Sequence, residues 1–238
     1  MTARTTRAAT AFICECDQPH EPRLVVLTGG PGAGKTAVLE LVRATACQHV
    51  RVLPEAASVV FGGGFPRRDG LDERRAAQRA IFHVQRELEA LEQAQNAAIL
   101  LCDRGTVDGL AYWPGEPGDL WAAVHSTVTA ELQRYAAVIH LRTPSAGQGY
   151  NHGNPIRTES ADAAARIDGR IADIWAAHPK VTTIPATADF LTKADAALEA
   201  LQAELPVCCR PHAAPASTKH NPTRSDAGAS LRPARARK

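Results

Sequence analysis

One eight-residue segment, GGPGAGKT from Gly29 to Thr36, constrains the fold of this chain more than any other. It matches the pattern G-x-x-x-x-G-K-[ST] and lies between a hydrophobic run at 24–28 and a helical pattern. Glycines in such a segment let backbone N–H groups approach phosphate oxygens, and the helix that follows directs its N-terminal dipole at the same anion. The segment, called the P-loop below, therefore predicts a phosphate-binding turn between a strand and a helix, suited to ATP or alternatively GTP.

The last two side chains of the P-loop are expected to act on the nucleotide directly. Lys35 is predicted to bridge the β- and γ-phosphates as a catalytic cation, and Thr36 to ligate Mg2+ through its hydroxyl. The whole loop is expected to contact the nucleotide, namely Gly29, Gly30, Pro31, Gly32, Ala33, Gly34, Lys35 and Thr36.

Short apolar runs alternate with helical patterns along the chain. Strands are predicted at 24–28, 50–54, 97–102, 136–141 and 181–184, and helices at 36–47, 72–95, 160–177 and 190–205. This alternation predicts an α/β class, a three-layer P-loop NTPase fold in which helices cover both faces of a parallel sheet.

Composition indicates one folded domain between two tails. We expect a flexible N-terminal segment at 1–22, the nucleotide-binding domain at 23–206, and a disordered basic tail at 207–238. That tail has seven Lys or Arg residues against one acidic residue and few large apolar side chains, so it cannot bury enough surface to fold. The rest of the chain is mildly acidic, which argues against specific nucleic-acid binding.

The sequence predicts no membrane-spanning helix. No apolar run approaches the ~18 residues that a transmembrane helix needs, and no signal-peptide stretch follows the first arginines. We therefore expect no membrane span and a cytoplasmic location. The sequence does not predict the oligomeric state.

Cysteine and histidine residues near both ends admit two interpretations. They are Cys14, Cys16 and His20 near one end, and Cys208, Cys209 and His212 near the other. A metal site is one interpretation, and the spacing matches no disulfide framework. We interpret them as incidental thiols in flexible ends.

A second acidic position follows the predicted strand that ends near Cys102. Asp103, after four apolar residues, is typical of a Walker B aspartate that holds Mg2+ with Thr36, although a turn or helix-cap aspartate gives the same pattern. Arg104 comes next, where many ATP-driven machines have a catalytic glutamate. An arginine stabilises charge on a transferring phosphoryl group but cannot act as a base for water.

Signalling GTPases are also disfavoured. No D-x-x-G motif follows the P-loop, and the only guanine-type motif is Thr192-Lys-Ala-Asp195. That motif lies in a helical pattern beyond the last strand. An exposed helix face is the interpretation that we prefer for it.

The order of four short motifs resembles the NadR-like P-loop kinase domains, which are named with the AAA proteins and are related to deoxynucleoside and thymidylate kinases. The motifs are the P-loop, Pro54-Glu55, Asp103-Arg104-Gly105 and Leu141-Arg142-Thr-Pro144. The resemblance covers most of residues 23–204. It implies a kinase-like core with an ATP donor, an acceptor pocket and a lid that carries arginines.

Roles for several residues follow from that resemblance. Glu55 is expected to accept the proton of the acceptor hydroxyl, with a glutamate favoured by a helix N-terminal dipole as the alternative. Gln85 matches a glutamine that recognises a nucleobase, or else is a plain helix-surface residue. The segment 62–68, with Arg67 and Arg68, is either a clamp for an anionic acceptor or an ordinary mobile loop.

The glycine-rich segment 147–157 is the expected kinase-like lid. Arg157 is its predicted catalytic arginine, and Arg142 is predicted to contact the nucleotide. Arg166 and Arg170 share a helix face and are either further lid cations or surface ion pairs.

Two tryptophans flank a turn after the second acidic position. Trp113 and Trp121 are expected either to form a wall of the acceptor pocket or to pack in the core.

These expectations converge on ATP-dependent phosphoryl transfer to a small acceptor, a nucleoside, nucleotide or similar ribosyl compound. Lys35, Arg104 and Arg157 would neutralise the transferring charge, and Glu55 would take the proton. The alternative is an ATP- or GTP-dependent binding or regulatory module with little kinase activity.

Overall fold

Five parallel strands form one sheet in the computed structural model, which describes residues 14–144, 160–187 and 189–210. The order across the sheet is β2-β3-β1-β4-β5, so β1 lies at its centre. The strands are β1 (Arg23–Thr28), β2 (Val50–Leu53), β3 (Ile99–Asp103), β4 (Tyr135–Leu141) and β5 (Val181–Ile184).

Seven α-helices and one 3-10 helix lie between or after the strands within the described residues. The α-helices are α1 (Lys35–Thr45), α2 (Ala56–Gly62), α3 (Leu71–Gln93), α4 (Pro117–Ala123), α5 (Val128–Gln133), α6 (Ala161–Trp175) and α7 (Phe190–Glu204), and the 3-10 helix is Thr106–Ala111. Every predicted strand and helix is present, with bounds within two residues of the expectation. The short elements α2, α4, α5 and the 3-10 helix have no clear periodicity and were not predicted.

Both faces of the sheet are buried, as the continuous apolar strands require. Val25 and Leu27 of β1 point to one face, where α1 and α7 pack, and Leu24 and Val26 point to the other, where α3 to α6 pack. The predicted three-layer α/β fold is therefore confirmed. Since the side chains of β1 alternate between two cores, its carboxyl end is held firmly at the middle of the molecule.

The carboxyl ends of four parallel strands meet at one edge of the sheet. The P-loop follows β1, Glu55 follows β2, Asp103 ends β3 and Arg142 follows β4. Ligands of open α/β sheets bind at this edge. The topology thus brings together the residues that the sequence marks for phosphate chemistry.

The packed body extends beyond the expected domain limits at 23 and 206. Cys14 is 4% exposed and Cys209 is fully buried, and both belong to the core on the α1 and α7 side of the sheet. Their description as thiols in flexible ends is therefore wrong. Sequence patterns missed this packing because the two segments contact each other across the whole length of the chain.

Several expectations fall on residues outside the described ranges. They are the lid at 147–157 with Arg157, most of the tail at 207–238, and residues 1–13 of the N-terminal segment. Within the described ranges, no helix combines the length and the apolar character that crossing a membrane demands. A cytoplasmic location stays a prediction.

The tryptophans Trp113 and Trp121 are buried in the core on the α3 side of the sheet. Core packing is thus the interpretation that the structure supports for both. Trp175 of α6 lies in the same core, is fully buried, and donates its indole N–H to Asp108 at 3.1 Å.

A substitution at Gly105 tests how tightly this core is packed. A Cβ atom at Gly105 would lie 2.7 Å from Cζ2 of the buried Trp175, so we expect Gly105→Ala to destabilise the fold by about 1–3 kcal/mol. Urea denaturation measures the difference. Gly118→Ala in α4 is the control, because outside its chain neighbours and its own helix backbone no described atom lies within 4 Å of the added methyl group. An unchanged unfolding midpoint for Gly105→Ala would contradict this description of the core.

Candidate active site

The P-loop turns tightly against the end of β4, which explains its first glycine. Gly29 has φ 139°, and a Cβ at this position would lie 2.1 Å from the carbonyl oxygen of Leu141. Gly34 precedes α1 in a left-handed conformation with φ 95°. Any other residue would be strained or would clash at these two positions. The sequence pattern is therefore required by the backbone itself.

Lys35 is buried at the start of α1 and turns back onto the P-loop. Its Nζ donates to the carbonyl oxygen of Gly29 at 2.9 Å and to that of Gly30 at 3.3 Å. Burial, and secondly the charge of Arg104, lower the pKa of Lys35 to about 8. The lysine is thus positioned among the loop amides, where it can reach phosphate oxygens once it exchanges these carbonyl partners.

Asp168 of α6 holds the P-loop from the side. One of its oxygens accepts a hydrogen bond from Gly30 N–H at 2.9 Å and lies 2.8 Å from His140 Nε2. The other forms an ion pair with Arg142 Nε at 3.0 Å. Burial raises the pKa of Asp168, but its bonds to His140 and Gly30 outweigh this and hold the pKa below the usual range. No local sequence pattern marks Asp168 as part of the site.

Lys193 of α7 holds the P-loop from the opposite side. Its side chain is 4% exposed, and Nζ donates to the carbonyl oxygens of Ala33, at 2.8 Å, and of Arg142. The interpretation of Thr192–Asp195 as an exposed helix face is therefore wrong at Lys193. A helical pattern does not show which residues its helix packs against, so it does not predict the contact of Lys193 with the P-loop.

Asp103 ends β3 beside the P-loop and offers a free ligand atom. Its Oδ1 is buried with no hydrogen-bond partner among the described residues, and burial raises its pKa to about 6. Thr36, whose side chain is expected to complete the site, is exposed at the start of α1. A carboxylate and a hydroxyl are ligands that suit Mg2+. The residues present thus fit a magnesium ion, and both roles stay predictions.

Arg104 and Glu55 form an ion pair at the sheet edge. Arg104 Nε lies 2.8 Å from Glu55 Oε1, and Arg104 Nη1 donates to the carbonyl oxygen of Gly29 at 3.1 Å. Arg104 adopts φ 72°, a conformation that side chains rarely take and that is stabilised here by these contacts. The pair therefore joins the P-loop to the segment after β2.

The charges around this pair keep both groups ionised. Burial raises the pKa of Glu55, but the charge of Arg104 and a hydrogen bond from Ser58 outweigh it and hold the pKa below its usual range. Burial likewise opposes the charge on Arg104, yet Tyr112, Asp108 and Glu55 raise the pKa of Arg104 above its usual value.

A cavity of about 690 Å3 opens beside the ion pair, bounded by α2, α3 and the 3-10 helix. Its polar lining includes Glu55, Arg67, Arg68, Arg74, Gln78, Gln85 and Arg104, and its apolar lining includes Phe61, Ile81 and Phe82. Pro31 of the P-loop also contributes to its wall. This volume and mixture of side chains suit a small polar molecule.

Gln85 lines this cavity and is buried, so it is not a plain surface residue. Its Nε2 donates to Glu89 Oε1 at 2.7 Å, and Glu89 also accepts from the hydroxyl of Tyr135 at 2.9 Å and pairs with Arg134. With its amide N–H₂ directed at Glu89, Gln85 is fixed in orientation. Its role toward a ligand stays a prediction.

Of the other arginines for which roles were predicted, only Arg142 is found beside the P-loop within the described residues. Arg142 pairs with Asp168 beside the P-loop, as described above. Arg170 donates to the carbonyl oxygen of Ala111 at 3.5 Å, and Arg166 is exposed on α6. Arg157 lies outside the described residues.

Comparison with known proteins identifies the fold. A family model described as an AAA domain matches residues 24–192, and no curated protein sequence matches. Among solved structures, a thymidylate kinase from Ehrlichia chaffeensis is similar, with a TM-score of 0.51 and 16% identity over 78% of this chain and 98% of that one. At this identity, the similarity shows a P-loop kinase fold and not a substrate.

The anchoring of the P-loop by Lys193 is testable through stability. Lys193→Met removes the donor for two buried carbonyls, which we expect to cost about 1–3 kcal/mol in urea denaturation at neutral pH. Lys180→Met is the control. Lys180 is exposed, and its buried partner Glu204 keeps an ion pair with Arg23 at 3.0 Å, so the loss of Lys180 should cost at most about 1 kcal/mol.

The same variant has a predicted pH dependence. Burial lowers the pKa of Lys193 from its ordinary 10.5 to about 8, so between these pH values the unfolded chain binds more protons than the folded one. The wild-type stability therefore gains a contribution as pH rises from about 8 toward 10.5, and Lys193→Met lacks it. The difference in unfolding free energy between the wild type and Lys193→Met should therefore widen as pH rises from about 8 toward 10.5. A difference that narrows over this range would contradict the prediction.

Proposed function

Because the chain belongs to the AAA-domain family of P-loop, nucleotide-binding proteins, we propose that it transfers the γ-phosphate of ATP to a hydroxyl group of a small nucleoside-like or nucleotide-like acceptor. The observation that carries the proposal is the 2.8 Å ion pair between Arg104 and Glu55. It lies where the P-loop meets the cavity, so a donor and an acceptor would meet at these two side chains.

In the proposed reaction, the acceptor oxygen bonds to the γ-phosphorus as the bond to the bridging oxygen of ADP breaks. The hydroxyl proton passes to a Glu55 carboxylate oxygen. The low pKa of Glu55 keeps the carboxylate ionised at neutral pH, which is the form that accepts a hydrogen bond from the hydroxyl. Only modest base strength is needed, because positioning and charge stabilisation provide most of the catalysis in phosphoryl transfer.

Positive charge along the reaction path comes from the chain itself. Lys35 would leave the carbonyl oxygens of Gly29 and Gly30 to contact the β- and γ-phosphates, and Arg104 would neutralise charge on the transferring group. Arg142 and Arg157 stay our proposed further cations on the nucleotide side. An arginine after Asp103 leaves no base for water there, which favours transfer to an acceptor over hydrolysis.

Thr36 and Asp103 would hold Mg2+, which when bound neutralises phosphate charge and orients the nucleotide. The unpartnered Oδ1 of Asp103 supports this assignment.

The cavity supports an acceptor that carries an anionic group. Arg67, Arg68 and Arg74 line it, and both Arg67 and Arg68 have exposed side chains on the segment between α2 and α3. Arg67 also lies over the ring of Phe61, 4.4 Å from its centroid, so that segment has a defined cationic surface. Gln85, which also lines the cavity, would recognise a polar edge of the acceptor.

Glu55→Gln tests the proposed base. We expect kcat for phosphate transfer to fall by about 10²–10⁴-fold, because the amide cannot accept the hydroxyl proton. ATP affinity, measured by isothermal titration calorimetry, should change little. Transfer is followed by phosphorus NMR against a nucleoside and nucleotide library, with acceptors first selected by thermal stabilisation in the presence of ATP.

Glu40→Gln, at an exposed glutamate of α1 paired with Arg43, provides the matched control and should keep full activity. If Glu55→Gln keeps full turnover, Glu55 is not the base of the reaction. If ATP alone stabilises the chain and no acceptor is phosphorylated, the proposal fails and a nucleotide-dependent binding module replaces it. Lys35→Ala should abolish ATP binding under either function.

Arg68→Ala tests the anionic acceptor. Loss of a charged hydrogen bond is worth about 1.5–3 kcal/mol, so KM for a phosphorylated acceptor should rise by roughly 10- to 100-fold with kcat nearly unchanged. KM for the unphosphorylated counterpart should stay constant. Arg43→Ala on α1 is the control for removal of an exposed arginine. Equal effects on both acceptors would contradict recognition of the anionic group.

A further inference from the structure

Five of the six cysteines and two histidines lie close together in the structure, although they are far apart in the sequence. They are Cys14, Cys16, His20, Cys47, His49, Cys208 and Cys209. Three segments supply them: the residues before β1, the connection from α1 to β2, and the residues after α7. Such a concentration of thiol and imidazole groups has no part in the phosphoryl-transfer site.

Four of these side chains form a buried inner set: Cys14, Cys47, His49 and Cys209. Their potential ligand atoms all lie within 4.8 Å of one another. Each residue is at most 4% exposed, and Cys209 Sγ lies 3.5 Å from His49 Nδ1. The set therefore brings three sulfurs and one nitrogen close together and shields them from water.

We propose that Cys14, Cys47, His49 and Cys209 bind a structural zinc ion. Three thiolates and one imidazole are a common ligand set of closed, tetrahedral zinc sites. Metal–sulfur bonds of about 2.3 Å place the sulfurs of a tetrahedron about 3.8 Å apart, so small side-chain rotations convert the observed spacing into coordination. Hard cations such as Mg2+ require oxygen ligands, which this set lacks.

An outer set of three residues, Cys16, His20 and Cys208, lies beside the inner one. Their ligand atoms are also within 4.8 Å of one another, but these residues are partly exposed and supply only three donors. Cys208 Sγ lies 3.8 Å from Cys209 Sγ, and the His20 and His49 rings are 4.7 Å apart. The inner set is preferred because it offers four ligand atoms and is buried, whereas the outer set offers three and is partly exposed.

The position of the inner set indicates a structural and not a catalytic ion. The carbonyl oxygen of His49 accepts hydrogen bonds from the N–H groups of Ala98 and Ile99, at the start of β3. The P-loop and Asp103 lie at the opposite, carboxyl ends of the strands. The ion would therefore join both ends of the described chain to the sheet without contacting the nucleotide.

Metal content of the full-length chain, purified without chelators, tests the proposal. Mass spectrometry of the elements should find about one zinc ion per wild-type chain, as one closed site requires. Cys47→Ser and Cys209→Ser should lose the ion, while Cys16→Ser should keep it. Cys102→Ala is the matched control, since Cys102 is a buried cysteine in β3 that belongs to neither set.

Cobalt substitution of the wild-type chain provides a second readout that needs no variant to fold. Tetrahedral thiolate coordination should give intense d–d bands and sulfur-to-cobalt charge transfer. A folded wild-type chain that binds neither zinc nor cobalt overturns the proposal, as does a cobalt spectrum without sulfur charge transfer. Zinc retained in Cys47→Ser, or lost in Cys16→Ser, also overturns it, since either result excludes the inner set.

Discussion

The carboxylate of Asp168 is the interaction on which the geometry of the P-loop depends. It binds Gly30 N–H, His140 and Arg142, which belong to the loop, to β4 and to the residue after β4. Asp168 is 1% exposed, and without it the buried partners, His140 and the N–H group of Gly30, would be left unsatisfied. Together with Lys193 on the other side, it holds the loop in shape before a nucleotide arrives. Such preorganisation lowers the free-energy cost of binding.

Local sequence patterns were sufficient for the fold and for the P-loop. The strands are continuous apolar runs, because both faces of a parallel sheet are buried, and the long helix α3 has a clear amphipathic period. The glycines of the P-loop are required by backbone conformations that other residues cannot adopt at Gly29 and Gly34. Features of this kind are determined by a few consecutive residues, and so can be inferred from them.

Contacts between distant segments were beyond such patterns. Lys193 binds a carbonyl 160 residues earlier in the chain, and Asp168 binds an amide 138 residues earlier. A helical period places each on a helix without indicating what the helix packs against. The burial of Gln85 is equally hard to predict from the helical period, because it follows from the contact with buried Glu89 and from the neighbouring cavity. Lys193 was therefore assigned to an exposed helix face, which is wrong, and Asp168 was not identified as part of the site.

The described body begins and ends at one corner of the molecule. Cys14 Sγ lies 3.4 Å from the carbonyl oxygen of Cys208, and Cys14 N–H donates to Gln48 at 2.9 Å. Tension applied between residues 14 and 210 is therefore borne first by side chains at this corner and not by the hydrogen bonds of the sheet. The contacts of Cys14 with Cys208 and Gln48 must break before the force reaches the central strands.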